Sequence, residues 1–432
     1  MGHQALAERV LRQRELLPDL YAAVHPEHLP ERLALTMDDP SDLDDVKGAD
    51  RAELLADTAL VDLMVTATRL GDVVADSYAM RVRDLGMTQV VAMLRAACRR
   101  GIDAVPDAPA ELRAFLASLE ETPDWVDLAL VEEGARWERI DAALLTPFVI
   151  RGAFLATFLN AYAALPMALT GALTGETSAR RVKETASFFA ATVLPGGTRR
   201  HGPGFEAAAM VRLMHSAVRV HAVRSGRWNH DTHGPPIPQV DQMPAGLINS
   251  FLISVAAIRD GRDEFDERER AMIELARYRC FLLGLPPELL PQDPHGVVRV
   301  FKARAATLRS AFDDETCGAL VRSTLAARLH PDAGRWGRTV ERFERSFSTI
   351  TFVRAFLQGD EARAARMGVR ITRADRLRAT PMLPLLLGRV LLVRRLSKVR
   401  ALAPVVDRYV VATLRRRLRG YGHPEYVARE VA

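Results

Sequence analysis

Apolar residues recur along this chain at three- and four-residue steps, and period-two alternation is hard to find. On 205–224, Ala208, Val211, His215, Val218 and Ala222 fall on one stripe of a helix. On 178–194, Arg181, Thr185, Phe188 and Thr192 share a face, with Glu184 beside them. Pro195-Gly196-Gly197 stops that helix, and Gly226 ends the other. Helical pattern also covers 4–17, 51–100 with breaks, 240–258 and 263–285, and returns several times over 295–432. Near residue 122, Thr122 can cap a further helix with Pro123 at its first position. "RWNHDTHGPPIPQ", 227–239, reads as loop. The expectation is an all-α protein.

Composition agrees. Of 432 residues, 48% are hydrophobic and 6% aromatic, and Ala, Leu and Arg dominate. These are strong helix formers. The net charge of +5 is unevenly spread. Arg370 to Arg419 holds fourteen basic residues against Asp375 and Asp407. Such a face suits nucleic acid, an anionic membrane surface, or plain solvent. We expect no nucleic-acid partner and keep peripheral membrane contact through 370–419 as an open reading. No charge stands between Arg151 and Glu176. That run has the length of a membrane span. Ala, Gly and Thr dilute it, and it carries Asn160, Tyr162 and Pro166, so a buried core segment is expected. Three scattered cysteines, Cys98, Cys280 and Cys317, and an N-terminus without an apolar segment point to a reducing, cytoplasmic setting. No phosphate-binding glycine loop and no HExxH occur, so nucleotide binding and zinc hydrolysis have no support.

Histidines cluster instead. His215, His221, His230 and His233 lie within 207–238. A lone histidine on an apolar stripe is usually a satisfied core residue. The "HDTH" pair, His230 and His233, has metal spacing but no third ligand nearby, and reads as solvated. Arg181, on an otherwise core-like face, needs an anion or a ligand to compensate it.

Five segments in order change this balance: "PDWVD" (123–127), Arg181 to Thr185 in "RRVKET", "VRLMHSAVR" (211–219), "PIPQVDQ" (236–242) and "FLLGLPPELLP" (281–291). Together they resemble the oxygenase family that includes latex-clearing protein and the mycophenolic-acid pathway oxygenase. The resemblance implies a globin-like helical core around haem b. It makes His215 the iron ligand and puts Arg181 and Thr185 on the opposite side, where oxygen and substrate meet. Arg219, one turn on from His215, is the second cofactor-binding candidate. Rubber-cleaving members read R-x-x-K-T; here Glu184 stands at the lysine position and the lysine is Lys183. Those members also keep an acid in the preceding helix, and none lies between Arg151 and Glu176. Glu184 then serves as an acid/base or pairs with Arg180 or Arg181.

Three regions follow in chain order: N-terminal helices over 1–120, a haem-binding oxygenase-like core over 121–292, and C-terminal helices over 293–432. The expected function is a haem b-dependent oxygenase acting with O2 on a small apolar, isoprenoid- or lipid-like substrate. The alternatives are a haem carrier or sensor, and a haem-free helical protein at a membrane surface. Substrate, redox partner and oligomeric state have no sequence signature.

Overall fold

The computed structural model describes residues 2–43, 49–169, 175–330 and 334–421. Among them every regular element is helical, apart from two isolated bridges joining Leu33 to Leu308 and Ser41 to Arg309. The fold is all-α, as the three-to-four-residue periodicity requires. The chain forms two units that interleave in sequence. Among the described residues, the first takes those up to Gly134 and Arg199–Ala311, and the second Ala135–Thr198 and those from Phe312 to Tyr421.

In the first unit, the helix Pro203–Arg224 packs on Val73–Met80 and Met87–Arg100. Its alanines make close approach cheap: Ala208, Ala209 and Ala222 are wholly buried. Two buried ion pairs cross this contact. Arg212 donates to both oxygens of Asp72, at 2.6 and 2.9 Å, and Arg219 pairs with Asp76. Asp72 also caps Val73–Met80 by accepting from the Ala75 amide. The helix Gln239–Arg259 begins after Pro238 and contains Pro244. A proline inside a helix orphans the carbonyl four residues back. Here that carbonyl, on Val240, accepts from Arg304 Nε at 3.2 Å. Asp241 beside it is gripped by Arg32 and Arg304. Burial works against its charge, but the two guanidiniums hold its carboxyl below the usual range.

Two sequence expectations need correction in this unit. The helix Leu128–Leu144 starts later than the Thr122 cap implied. Asp127 precedes it, and its Oδ1 accepts from the amides of Ala129 and Leu130. "HDTH" is one helical turn, His230–His233, and not loop. Asn229 closes it by accepting from the amides of Asp231 and Thr232, and a short turn with such a cap needs no apolar periodicity.

In the second unit, Thr146–Leu155 lies against Arg335–Thr351. A side chain at Gly152 would come within 2.6 Å of the Ser348 carbonyl, so glycine sets this approach. Arg151, wholly buried, donates to Glu344 and to the carbonyls of Thr324 and Ala327. The uncharged run after Arg151 is broken. Helix ends at Leu155, a tight turn spans Ala156–Phe158, and a new helix takes Ala161–Leu169; residues 170–174 lie outside the described residues. Phe154, Leu155 and Phe158 sit in a core shared with Leu320, Val321 and Phe352. Among the described residues no single helix is long and apolar enough to cross a membrane. One pair meeting at a 90° bend, Leu128–Leu144 and Thr146–Phe158, reaches that length and composition jointly.

Candidate functional site

His215 lies mid-helix in Pro203–Arg224, half-buried. Its Nδ1 is 3.0 Å from Gln242 Oε1. Gln242 Nε2 donates to Gln239 Oε1 at 2.7 Å, and Gln239 Nε2 donates to the Gly71 carbonyl at 3.1 Å. That carbonyl fixes the direction of the whole row. A backbone oxygen can only accept, so Gln239 must present its NH2 there and its oxygen to Gln242. Gln242 then presents its own oxygen to His215. An oxygen cannot donate, so in the neutral ring the proton sits on Nδ1, and Nε2 carries the lone pair.

The surroundings hold this row in place. Gln239 N–H donates to the Leu70 carbonyl, and Gly71 N–H donates to Gln13 Oε1. A side chain at Gly71 would collide with the Tyr21 ring, so only glycine fits beneath that phenol. Arg219 is 1% exposed and spends its donors locally. Nε donates to the Pro236 carbonyl at 2.8 Å, Nη2 to the Ile237 carbonyl at 2.7 Å, and Nη1 to Asp76. Ile237 has a positive φ of 48°, unusual for a β-branched residue. Arg219 thus ties down the turn that launches Gln239 and Gln242. It positions the row from one helical turn below His215, and its guanidinium is committed there.

Asp76 also accepts from Tyr21 Oη. Burial, then the neighbouring Asp72 charge, push the Asp76 carboxyl up, while Arg219 opposes them. Burial foremost, with Asp76 after it, drives the Tyr21 phenol far above its ordinary value. Burial also opposes the Asp72 charge, but Arg212 prevails and holds that carboxyl low. This knot is locked, and an acid/base role would need a group that can change charge near neutrality.

Arg181, Glu184 and Thr185 belong to the second unit, on Gly175–Thr192. Arg181 Nη1 donates to Glu184 Oε2 at 3.0 Å. The two are 4% and 3% exposed. The anion that Arg181 needs is therefore its own i+3 neighbour, and of the two pairings open in the sequence Glu184 takes Arg181. Glu184 Oε1 is buried with no hydrogen-bond partner among the described residues. Thr185, half-buried, is the next residue. His215 and this trio fall in different units, and each group stands here within its own.

His230 and His233 are partly buried, not solvated. The His233 ring lies 4.9 Å from that of Trp228. Among the described residues no three His, Cys, Asp or Glu side chains gather as a metal centre would need. Cys98, Cys280 and Cys317 are buried, and burial pushes the Cys280 thiol up to about 12, so it is an inert one. Residue type and apolar periodicity do not single out Gln239 and Gln242. Their signal was the three-residue spacing in "PIPQVDQ", which puts both amides on one helix face.

Comparison with known proteins bears on this arrangement. The family described as ER-bound oxygenase mpaB/B'/rubber oxygenase, catalytic domain, matches residues 140–430. No curated protein sequence matches the chain. The solved structure of latex clearing protein LCP in the closed state superposes with a TM-score of 0.54 at 19% identity, over 82% of this chain and 91% of that one. That likeness is one of fold. The family match spans His215, Gln242, Arg181 and Glu184 together, and on it the chain belongs to the mpaB/rubber oxygenase family and is an oxygenase, an oxidoreductase acting on a substrate with O2.

Proposed function

We propose that this oxygenase depends on haem b, that His215 Nε2 is its protein ligand to iron, and that the substrate is small and apolar, of isoprenoid or lipid type. The amide row from Gly71 through Gln239 and Gln242 carries the reading. An iron-ligating imidazole needs its other nitrogen protonated and held by an acceptor, which fixes ring orientation and basicity. His215 meets that requirement. A haem also asks little else of the protein for ligation, since it brings four nitrogens. This agrees with the lack of any three-ligand cluster among the described residues.

Haem supplies the one-electron iron chemistry by which O2 reacts with an organic molecule. This chain's residues do the rest. Gln242 accepts the Nδ1 proton and keeps the ring from turning. Arg219 fixes the turn on which Gln242 stands. Arg181 and Thr185, assigned by the family resemblance, serve oxygen and substrate. Glu184 Oε1, buried beside a paired Oε2, is the atom at which a proton can be held.

The test is the absorption spectrum and haem content of the purified protein beside His215→Ala. Wild type should hold haem, and the variant should lose most of it or change axial signature. A variant with wild-type haem content and spectrum would remove His215 from the iron. Oxygen uptake on a terpenoid and lipid panel then tests the substrate class.

A further inference from the structure

The outer side of the helix Arg373–Ser397 is apolar and open. Its inner side buries Ala379, Leu386, Val390 and Val393. Between those positions Leu383, Leu385, Leu387, Leu391 and Leu392 face solvent, Leu385 to 72%. No charge lies between Arg378 and Arg389, and the exposed Arg389, which donates to Tyr409 Oη, separates Leu387 from Leu391 and Leu392. Exposed cations close both ends: Arg373 and Arg376 before, Arg395, Lys398 and Arg400 after. The two acids of the region are engaged elsewhere. Asp375 closes the helix cap and accepts from Ser346, and Asp407 accepts from Arg139.

Contiguous exposed leucines on a monomer mark an interaction surface. The charges at its ends decide the partner. If two copies paired through this face, parallel or antiparallel, arginines would meet arginines at both ends, and like-charge contact is costly. An anionic lipid surface satisfies both features. The apolar side enters the headgroup–acyl boundary while the flanking cations meet lipid phosphates. The uncharged stretch is too short to span a bilayer, so the helix lies in the interface plane. We infer that the outer face of 373–398 docks this protein on an anionic bilayer surface. Haem plays no part in this inference.

The test is flotation of the full chain with phosphatidylcholine vesicles, with and without about 30% phosphatidylserine. Wild type should bind the anionic vesicles, and binding should fall about tenfold or more on neutral vesicles or in about 0.5 M salt. The triple variant Leu385→Gln, Leu391→Gln, Leu392→Gln changes only exposed positions. It should keep the wild-type circular dichroism and lose most vesicle binding. Arg395→Glu with Lys398→Glu should lose the preference for anionic lipid. Wild type that ignores anionic vesicles, or a triple variant that floats as well as wild type, overturns the inference. A wild-type dimer that the triple variant converts to monomer would give the face to a second copy and overturn it too.

Discussion

At the scale of single residues, the row Gly71–Gln239–Gln242–His215 makes a spectroscopic prediction that does not need turnover. In wild type, ¹⁵N imidazole shifts of His215 should report a proton on Nδ1. Gln242→Leu leaves Gln239 Oε1 buried without its donor, which costs about 1–3 kcal/mol. It should also let the second tautomer appear and weaken haem retention; an unchanged His215 signal would disconnect the row from the ring. His233 makes a pH prediction. Burial foremost, then Arg32, push it from 6.5 down to about 4. A histidine lowered on folding contributes stability that is complete above its unfolded value and lost as pH falls toward its folded one. Wild type should therefore weaken between pH 6.5 and 4, by no more than about 2 kcal/mol once solvent screening is allowed for. His233→Gln should flatten denaturant midpoints over that window. None of these roles can be read from residue type alone, because the tautomer of one ring depends on a carbonyl far away in sequence.

Elements were the most legible scale. Apolar periodicity placed the helices that hold His215 and Arg181 to within a few residues of Pro203–Arg224 and Gly175–Thr192. It failed where local capping decided, at Asp127 and at Asn229. What it could not show is how helices are pinned to one another. Arg219 is the clearest instance. Its helix position was visible, but its attachment to Asp76 and to the 236–237 turn was not. Arg219→Met should strand a buried carboxylate and cost about 3–5 kcal/mol, read from urea midpoints. Pairing it with Asp76→Leu should recover much of that loss, because two buried charges leave together. In the second unit, Gly152→Ala should part Thr146–Leu155 from Arg335–Thr351 and cost about 1–3 kcal/mol.

At the scale of the whole molecule, the two units interleave, so neither is complete until distant segments have met. The core around Phe154 and Phe158 is closed by Leu320, Val321 and Phe352. A chain ended at Ala311 should therefore expose that core, bind hydrophobic dyes and aggregate; a soluble, dye-silent fragment would contradict the shared core. The sequence by itself determined the all-α class, the family and the identity of His215 as the histidine to test, because periodicity, composition and motif order are local properties. The tertiary structure alone decided which nitrogen of that histidine carries the proton. It also decided that Glu184 answers Arg181, that Arg219 is spent on a turn, and that the uncharged run is broken after Leu155. Those outcomes depend on which donors meet which acceptors across long sequence separations, and burial makes each unmet partner costly enough to enforce the choice.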